Sequence, residues 1–316
     1  MKHNLKITAI LVIMFFITQL IGLAVIYADP LHLDQVSNGT VQKVDNPYFS
    51  GLSSDSSNNP GENFISILVA FIFALIIFFL LAKFKVSIIM RAWFFIVVVI
   101  VITITVFAFE KLIPIKISLL PAVIIALLIA LVLAVFKVFK RNIIIHNITE
   151  LLIYPGIAVV FIPLLNIWTI ILLLIIISIY DIWAVWHSGI MQKMAKYQIN
   201  ELKIFAGFYV PYLNKKQRAM IKEVRASKNK KLDKKSIKVN LAILGGGDVV
   251  FPIITSGIIF SIWGLIPALA VVFCATLALI GLFIFAKKGK FYPAMPFLTA
   301  GLFIGILIAW MISMVL

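Results

Sequence analysis

Long apolar runs, broken by short polar and basic stretches, repeat along almost the whole chain. Nine of them reach the roughly 20 residues that an α-helix needs to cross the hydrocarbon core of a bilayer. They centre on Ile7–Ala28, Phe64–Ala82, Ala92–Phe109, Ser118–Phe136, Asn142–Pro163, Ile167–His187, Val239–Ile262, Leu265–Ala286 and Phe291–Met314. Isoleucine, valine and phenylalanine dominate these runs. In water they would suggest strands, but unbroken runs of this length predict membrane helices. The expected fold class is an all-α membrane protein of nine transmembrane helices, organised as a single polytopic domain over 1–316. Six helices lie within 1–187, with an external loop at 29–63; a cytoplasmic loop follows at 188–238, and three helices occupy 239–316.

Composition supports the membrane class. Hydrophobic residues make up 63% of the chain and charged residues 13%, whereas soluble domains are about 45–50% apolar. The net charge of +16 raises the question of nucleic acid, and the placement of the charges answers it. With the N-terminus in the cytoplasm, all of the 28 Lys and Arg except Lys43, Lys111 and Lys116 fall on the inner side. That asymmetry follows the positive-inside rule and predicts a cytoplasmic N-terminus and an external C-terminus. The basic balance then reports topology and attraction to anionic lipid, with no nucleic-acid partner. Localisation is integral to the membrane, multi-pass, and in a prokaryote the cell membrane. Cys274 is the single cysteine, which excludes an intramolecular disulfide and a thiolate metal site. No phosphate-binding glycine loop, zinc spacing or Gly-x-Ser-x-Gly elbow occurs, so no cofactor or metal is expected.

Residues 1–28 can be read as a signal peptide, with Lys2 and Lys6 as its basic region, or as a retained first helix. The apolar part runs to about 20 residues, longer than the 7–15 of a signal core, and favours the helix. The loop at 29–63 is polar; Ser53 to Pro60 reads as solvated chain, and Asn38-Gly39-Thr40 fits a glycosylation sequon. In the cytoplasmic loop, Ile204 to Leu213 is too short to span and too apolar to hang free, so it is expected on the membrane surface or against the bundle. Lys215 to Lys238 is strongly basic and reads as solvated or lipid-facing.

Chemistry concentrates at two acids. Leu244-Gly245-Gly246-Gly247-Asp248 lies inside the seventh run, where an aspartate is costly and marks a functional candidate. Each glycine weakens a helix by about 1 kcal/mol relative to Ala, yet removes the side-chain wall that would keep another backbone away. The sixth run ends Tyr180-Asp181, followed by Trp183, Trp186 and His187, which suit a membrane interface. At 1.5 Å per residue, Asp181 lies about 9 Å and Asp248 about 14 Å from the cytoplasmic ends of their predicted helices. Neighbouring helices would let the two carboxyls face each other and share one proton. Such a pair can hydrolyse a peptide bond, one member activating water and the other hydrogen-bonding the carbonyl. A proton or cation pathway and a purely structural role remain open on these residues alone. His146 and Glu150, spaced i, i+4 on the fifth run, share a face and read either as an ion relay or as interhelical hydrogen bonds. Phe291-Tyr292-Pro293-Ala294-Met295-Pro296 opens the ninth run with two prolines, so the backbone there cannot be regular and needs protein or a cavity to cover it.

Tyr180-Asp181, Gly245-Gly246-Gly247-Asp248 and Pro293-Ala294-Met295 together resemble the Tyr-Asp, Gly-x-Gly-Asp and Pro-Ala-Leu signatures of the presenilin and signal peptide peptidase family of intramembrane aspartyl proteases. The order, the nine helices and the motif positions on the sixth, seventh and ninth are similar to that family, and the cytoplasmic stretch after the sixth most resembles archaeal-type presenilin homologues; Met295 in place of leucine is the departure. The resemblance implies a presenilin-like bundle with Asp181 and Asp248 as the catalytic pair. It implies that Tyr180, Gly245, Gly246, Gly247, Pro293, Ala294 and Met295 shape the site and help bind substrate. The substrates would be transmembrane helices of other membrane proteins, cleaved within the lipid bilayer by a GxGD-type enzyme. The oligomeric state is left open, a homo-oligomer included.

Overall fold

The computed structural model describes residues 5–37, 40–50, 87–113, 117–140, 142–188, 206–212, 240–286 and 292–315, with single positions between 65 and 80. Eight described helices are long and apolar enough to cross a membrane. They are α1 (Leu5–Ala28), α2 (Ser87–Leu112), α3 (Leu119–Phe139), α4 (Ile143–Phe161), α5 (Ile167–Trp183), α6 (Gly246–Trp263), α7 (Leu265–Phe285) and α8 (Met295–Ser313). In the expected span 64–82, Ile65, Ser66, Val69, Ala70, Phe73, Ile76, Ile77 and Leu80 are helical; the rest of that expectation lies outside the described residues. Most of the expected cytoplasmic loop, including Lys215 to Lys238, lies outside them too, as do Ser53 to Pro60 and the first two residues of the sequon.

Close helix contact rests on small residues, as it must where lipid removes the hydrophobic drive between helices. Ala122, Ala126, Ala130 and Ala134 form one buried stripe on α3, the helix that packs along α2. Between α7 and α8 the approach is closer: a Cβ on Gly301 would stand 2.4 Å from the Ala278 Cβ. Helix starts follow local chemistry. Asn142 accepts from the Ile144 N–H, and Asn166 with Thr169 forms a capping box, each satisfying orphan donors. Pro155 lies inside α4 and Pro252 inside α6; each removes one i to i−4 hydrogen bond. Helix α6 is the centre of the bundle, packed against α1, α4, α5, α7 and α8.

Two antiparallel hairpins interrupt the helices, which hydropathy does not foretell. Strands β1 (His32–Ser37) and β2 (Thr40–Asp45) pair from His32↔Asp45 to Ser37↔Thr40. Lys111 at the end of α2 ties this hairpin down, its Nζ donating to the Asp29 carbonyl at 2.7 Å and the His32 carbonyl at 2.9 Å. Asp29 itself adopts φ 45°, a conformation that Asp tolerates better than most residues. Burial alone would raise its carboxyl, but hydrogen bonds from Lys43 and His32, with their charges, outweigh that and hold it below the ordinary carboxylate range.

The second hairpin corrects the seventh predicted helix. Asn240–Gly245 is strand β4, and helix begins only at Gly246. Strand β4 pairs with β3 (Gly207–Tyr212), in register from Gly207↔Gly245 to Tyr212↔Asn240. A strand buried in a bundle reads as an apolar run indistinguishable from helix by hydropathy. The period-2 signal is nonetheless there: Ala242 and Leu244 are buried, while Ile243 between them is exposed. The segment expected on the bundle or membrane surface, Ile204 to Leu213, supplies β3, whose Phe208 is fully buried. Strand β3 packs on α1, α4 and α6.

Candidate active site

Asp181 lies two residues before the end of α5, buried. Its Oδ2 accepts the Met295 N–H at 3.0 Å, and the Ala294 N–H also points at it. Met295 is the first residue of α8, where backbone donors have no helical partner and the macrodipole favours negative charge. The irregular step predicted at the two prolines is real: 292–294 is non-helical, and Pro296 falls in the first turn of α8, where its missing N–H costs nothing. Pro293 and Met295 are buried, so Met295 fills the interior as an apolar residue of leucine's size would. One turn along the same seam, Ser178 Oγ and Thr299 Oγ1 meet at 2.7 Å. Sequence reading missed this pair, although Ser178 precedes Asp181 by three and Thr299 follows Met295 by four, the spacings that share a helix face.

Asp248 is the third residue of α6, partly exposed. Gly245 is the N-cap, and its N–H bonds to the Asp248 carboxylate. That is one half of a capping box, the side chain at the third helical position reaching back to the cap backbone. The depth expected for Asp248 inside a helix starting at Val239 is therefore replaced by a position at the joint between strand and helix. Helices α5 and α6 are neighbours, α8 touches both, and Asp248 lies within electrostatic reach of Asp181.

The three glycines have different surroundings. A Cβ on Gly245 would stand 3.1 Å from Asp248 Oδ2. One on Gly246 would stand 3.0 Å from Tyr154 Cε1 and 3.1 Å from its hydroxyl. One on Gly247 would meet nothing nearer than Phe251, at 3.7 Å. Gly246, expected to loosen the backbone and shape the site, makes room for Tyr154 of α4, a buried ring set edge-on to Phe208 of β3. A second unforeseen residue is Gln19 of α1, fully buried, whose Nε2 donates to the Val249 carbonyl at 3.0 Å. Neither stands out in the sequence, because a lone Tyr or Gln in an apolar run carries no spacing signal.

Tyr180 is exposed, its ring beside Trp183 at 6.3 Å. It lies on the rim of the site, apart from the buried contacts of Asp181. Trp183 and Trp186 are exposed, as an interfacial belt requires; the His187 side chain lies outside the described residues. His146 and Glu150 take the hydrogen-bonded arrangement. Glu150 Oε1 accepts from Lys137 Nζ and lies 3.3 Å from His146 Nε2. Lys137, counted among the inner-side charges, is buried against its partner, their side chains 2% and 1% exposed. Among the described residues no three of His, Cys, Asp or Glu gather as a metal site would require.

A sequence model of the family described as signal-peptide peptidase, presenilin aspartyl protease matches residues 36–315. The chain belongs to this family. Its members are aspartic intramembrane proteases, and the chain is accordingly a presenilin-like, multi-pass integral membrane protein. Two crystal forms of a presenilin family intramembrane aspartate protease share the fold. One aligns with TM-score 0.56 at 16% identity over 94% of each chain, the other with the same score and identity over 96% of each. No curated protein matches by sequence.

Proposed function

We propose that this presenilin-family chain is a GxGD-type aspartic endopeptidase that hydrolyses peptide bonds in the transmembrane helices of membrane-protein substrates, with Asp181 and Asp248 as its dyad. The observation that carries the reading is the convergence of the two acids from α5 and α6, within electrostatic reach, beside the first turn of α8. In the proposed reaction the dyad holds one proton. The ionised carboxyl takes a proton from water as its oxygen bonds to the scissile carbonyl carbon. The protonated carboxyl gives its proton to the carbonyl oxygen, forming a neutral tetrahedral diol. Proton transfer to the amide nitrogen then breaks the C–N bond and releases an acid and an amine.

A substrate must unwind to expose that bond, and an unwound backbone needs partners inside a membrane. Among the described residues, the edge of β4 away from β3 pairs with no strand, next to the open side of Gly247. An extended peptide can add there as a strand. The GGGD turn, Pro293, Ala294 and Met295 then line the site, with Tyr180 at its rim. The cytoplasmic N-terminus implied by the charges favours substrates whose own N-terminus is external. A proton or cation path would need Glu150 as a further free acid, and its carboxylate is tied to Lys137.

The test is purified protein in lipid with a labelled single-helix substrate. Asp181→Ala and Asp248→Ala are each expected to cut the rate by on the order of 10²–10⁴, the usual share of acid–base groups, without unfolding. A hydroxyl-bearing transition-state mimic is expected to block the wild type. Ion flux from a folded wild type that cleaves no helical substrate would reverse the assignment.

A further inference from the structure

The geometry points to a polar clasp, built by Lys137 of α3 with His146, Asn147 and Glu150 of α4, that positions Asp248 through the β3–β4 hairpin. It rests on the protease reading above and adds positioning residues that touch neither acid.

In an antiparallel pair, alternate residues turn both backbone groups away from the partner strand. On β3 those residues are Gly207, Tyr209 and Pro211, and this outer edge faces α4. Asn147 pairs with Tyr209 as a strand would, its Nδ2 donating to the carbonyl at 3.0 Å and its Oδ1 accepting the N–H at 3.2 Å. Gly207 is held likewise. Its carbonyl accepts from His146 Nε2 at 2.9 Å, and its N–H donates to Glu150 Oε1 at 3.3 Å. Pro211 has no N–H to satisfy and suits an edge. Side chains of one helix thus stand in for a third strand and close an edge whose open polar groups would otherwise be costly. Lys137 supplies the counter-charge that lets Glu150 stay at this depth.

The clasp is short of the dyad by two residues. Gly207 is the cross-strand partner of Gly245, and Gly245 caps α6 and donates to Asp248. Gly207 has φ 146°, open only to glycine, so its held backbone groups fix the strand's start directly. Tyr154, one turn beyond Glu150 on α4, fills the space over Gly246. One helix therefore sets both sides of the turn that carries Asp248. A buried ion pair adds little stability over an apolar pair of the same shape, and its use here is geometric.

The experiment compares wild type with Asn147→Leu, Glu150→Gln and the paired Lys137→Met/Glu150→Leu, in lipid. Glu150→Gln strands the Lys137 charge; if it does not fold, the paired variant and Asn147→Leu, which touches no charge, carry the test. Expected is a fall in kcat of roughly 10- to 100-fold, the effect of a shift of order 1 Å at reacting groups, with KM unchanged. Affinity for the hydroxyl-bearing mimic falls in step. Amide exchange rises at 207–212 and 240–247 and stays unchanged in α7 and α8. Folded variants that keep wild-type kcat, a loss carried by KM, or exchange raised evenly through the bundle overturn the clasp. If wild type cleaves nothing, the protease reading fails separately, and the exchange pattern decides: a local rise upholds the clasp, an even or absent rise overturns it.

Discussion

At Gly246 an added methyl would sit 3.0 Å from the Tyr154 ring, and that ring is buried with little room to retreat. Gly246→Ala is expected to cost about 1–3 kcal/mol, the usual penalty of overpacking, measured by unfolding in detergent. Tyr154→Leu in the same chain should return part of it. At Gly247 the outcome inverts. An added methyl meets only ordinary contact at 3.7 Å, so Gly247→Ala should keep or gain stability, by up to about 1 kcal/mol. Its cleavage rate should fall all the same under the proposed reading, in which substrate reaches Asp248 past this glycine. Cleavage at the wild-type rate would show that substrate does not come by that side. The chemistry of these residues was legible in the sequence, since an acid among glycines in an apolar run has few bland explanations. The partners of the glycines were not, because Tyr154 reaches Gly246 only through the fold.

Between α5 and α8 two layers of contact stack: Asp181 with the Met295 N–H, and Ser178 with Thr299. A double-mutant cycle of Ser178→Ala and Thr299→Val should give a coupling of about 0.6 kcal/mol, the average for interhelical hydrogen bonds in membranes. Additivity within error would mean that the hydroxyls merely coexist. Hydropathy found the eight described spans because lipid demands long apolar helices and little else is that long. It failed at Asn240–Gly245, where burial on several sides made a strand look like the start of a helix. The alternation of Ala242, Ile243 and Leu244 is too small among apolar residues to register. Nor could hydropathy pair Lys137 with Glu150, because only the fold brings α4 to that lysine.

The molecule carries two unlike hairpins: β1–β2 rich in charges, and β3–β4 of apolar strands beside the candidate site. The charged one is tied by Asp29, held below the usual carboxylate range by Lys43 and His32 against its burial. Its contribution is complete above the unfolded carboxylate value of about 3.9 and is lost as pH falls through the lower folded value. Amide exchange at 32–45 should therefore rise only in that acid window, and Asp29→Asn should remove the pH dependence. The other hairpin ends in α6, the helix that every neighbour grips. There Pro252 has a consequence beyond a missing bond. Its absent N–H is the one that would have closed on the Asp248 carbonyl. The Asp248 carbonyl is thereby left without its helical donor, and the first turn of α6 is one bond short. Asp248 thus stands at a joint, with strand β4 on one side and a helical turn that is one bond short on the other.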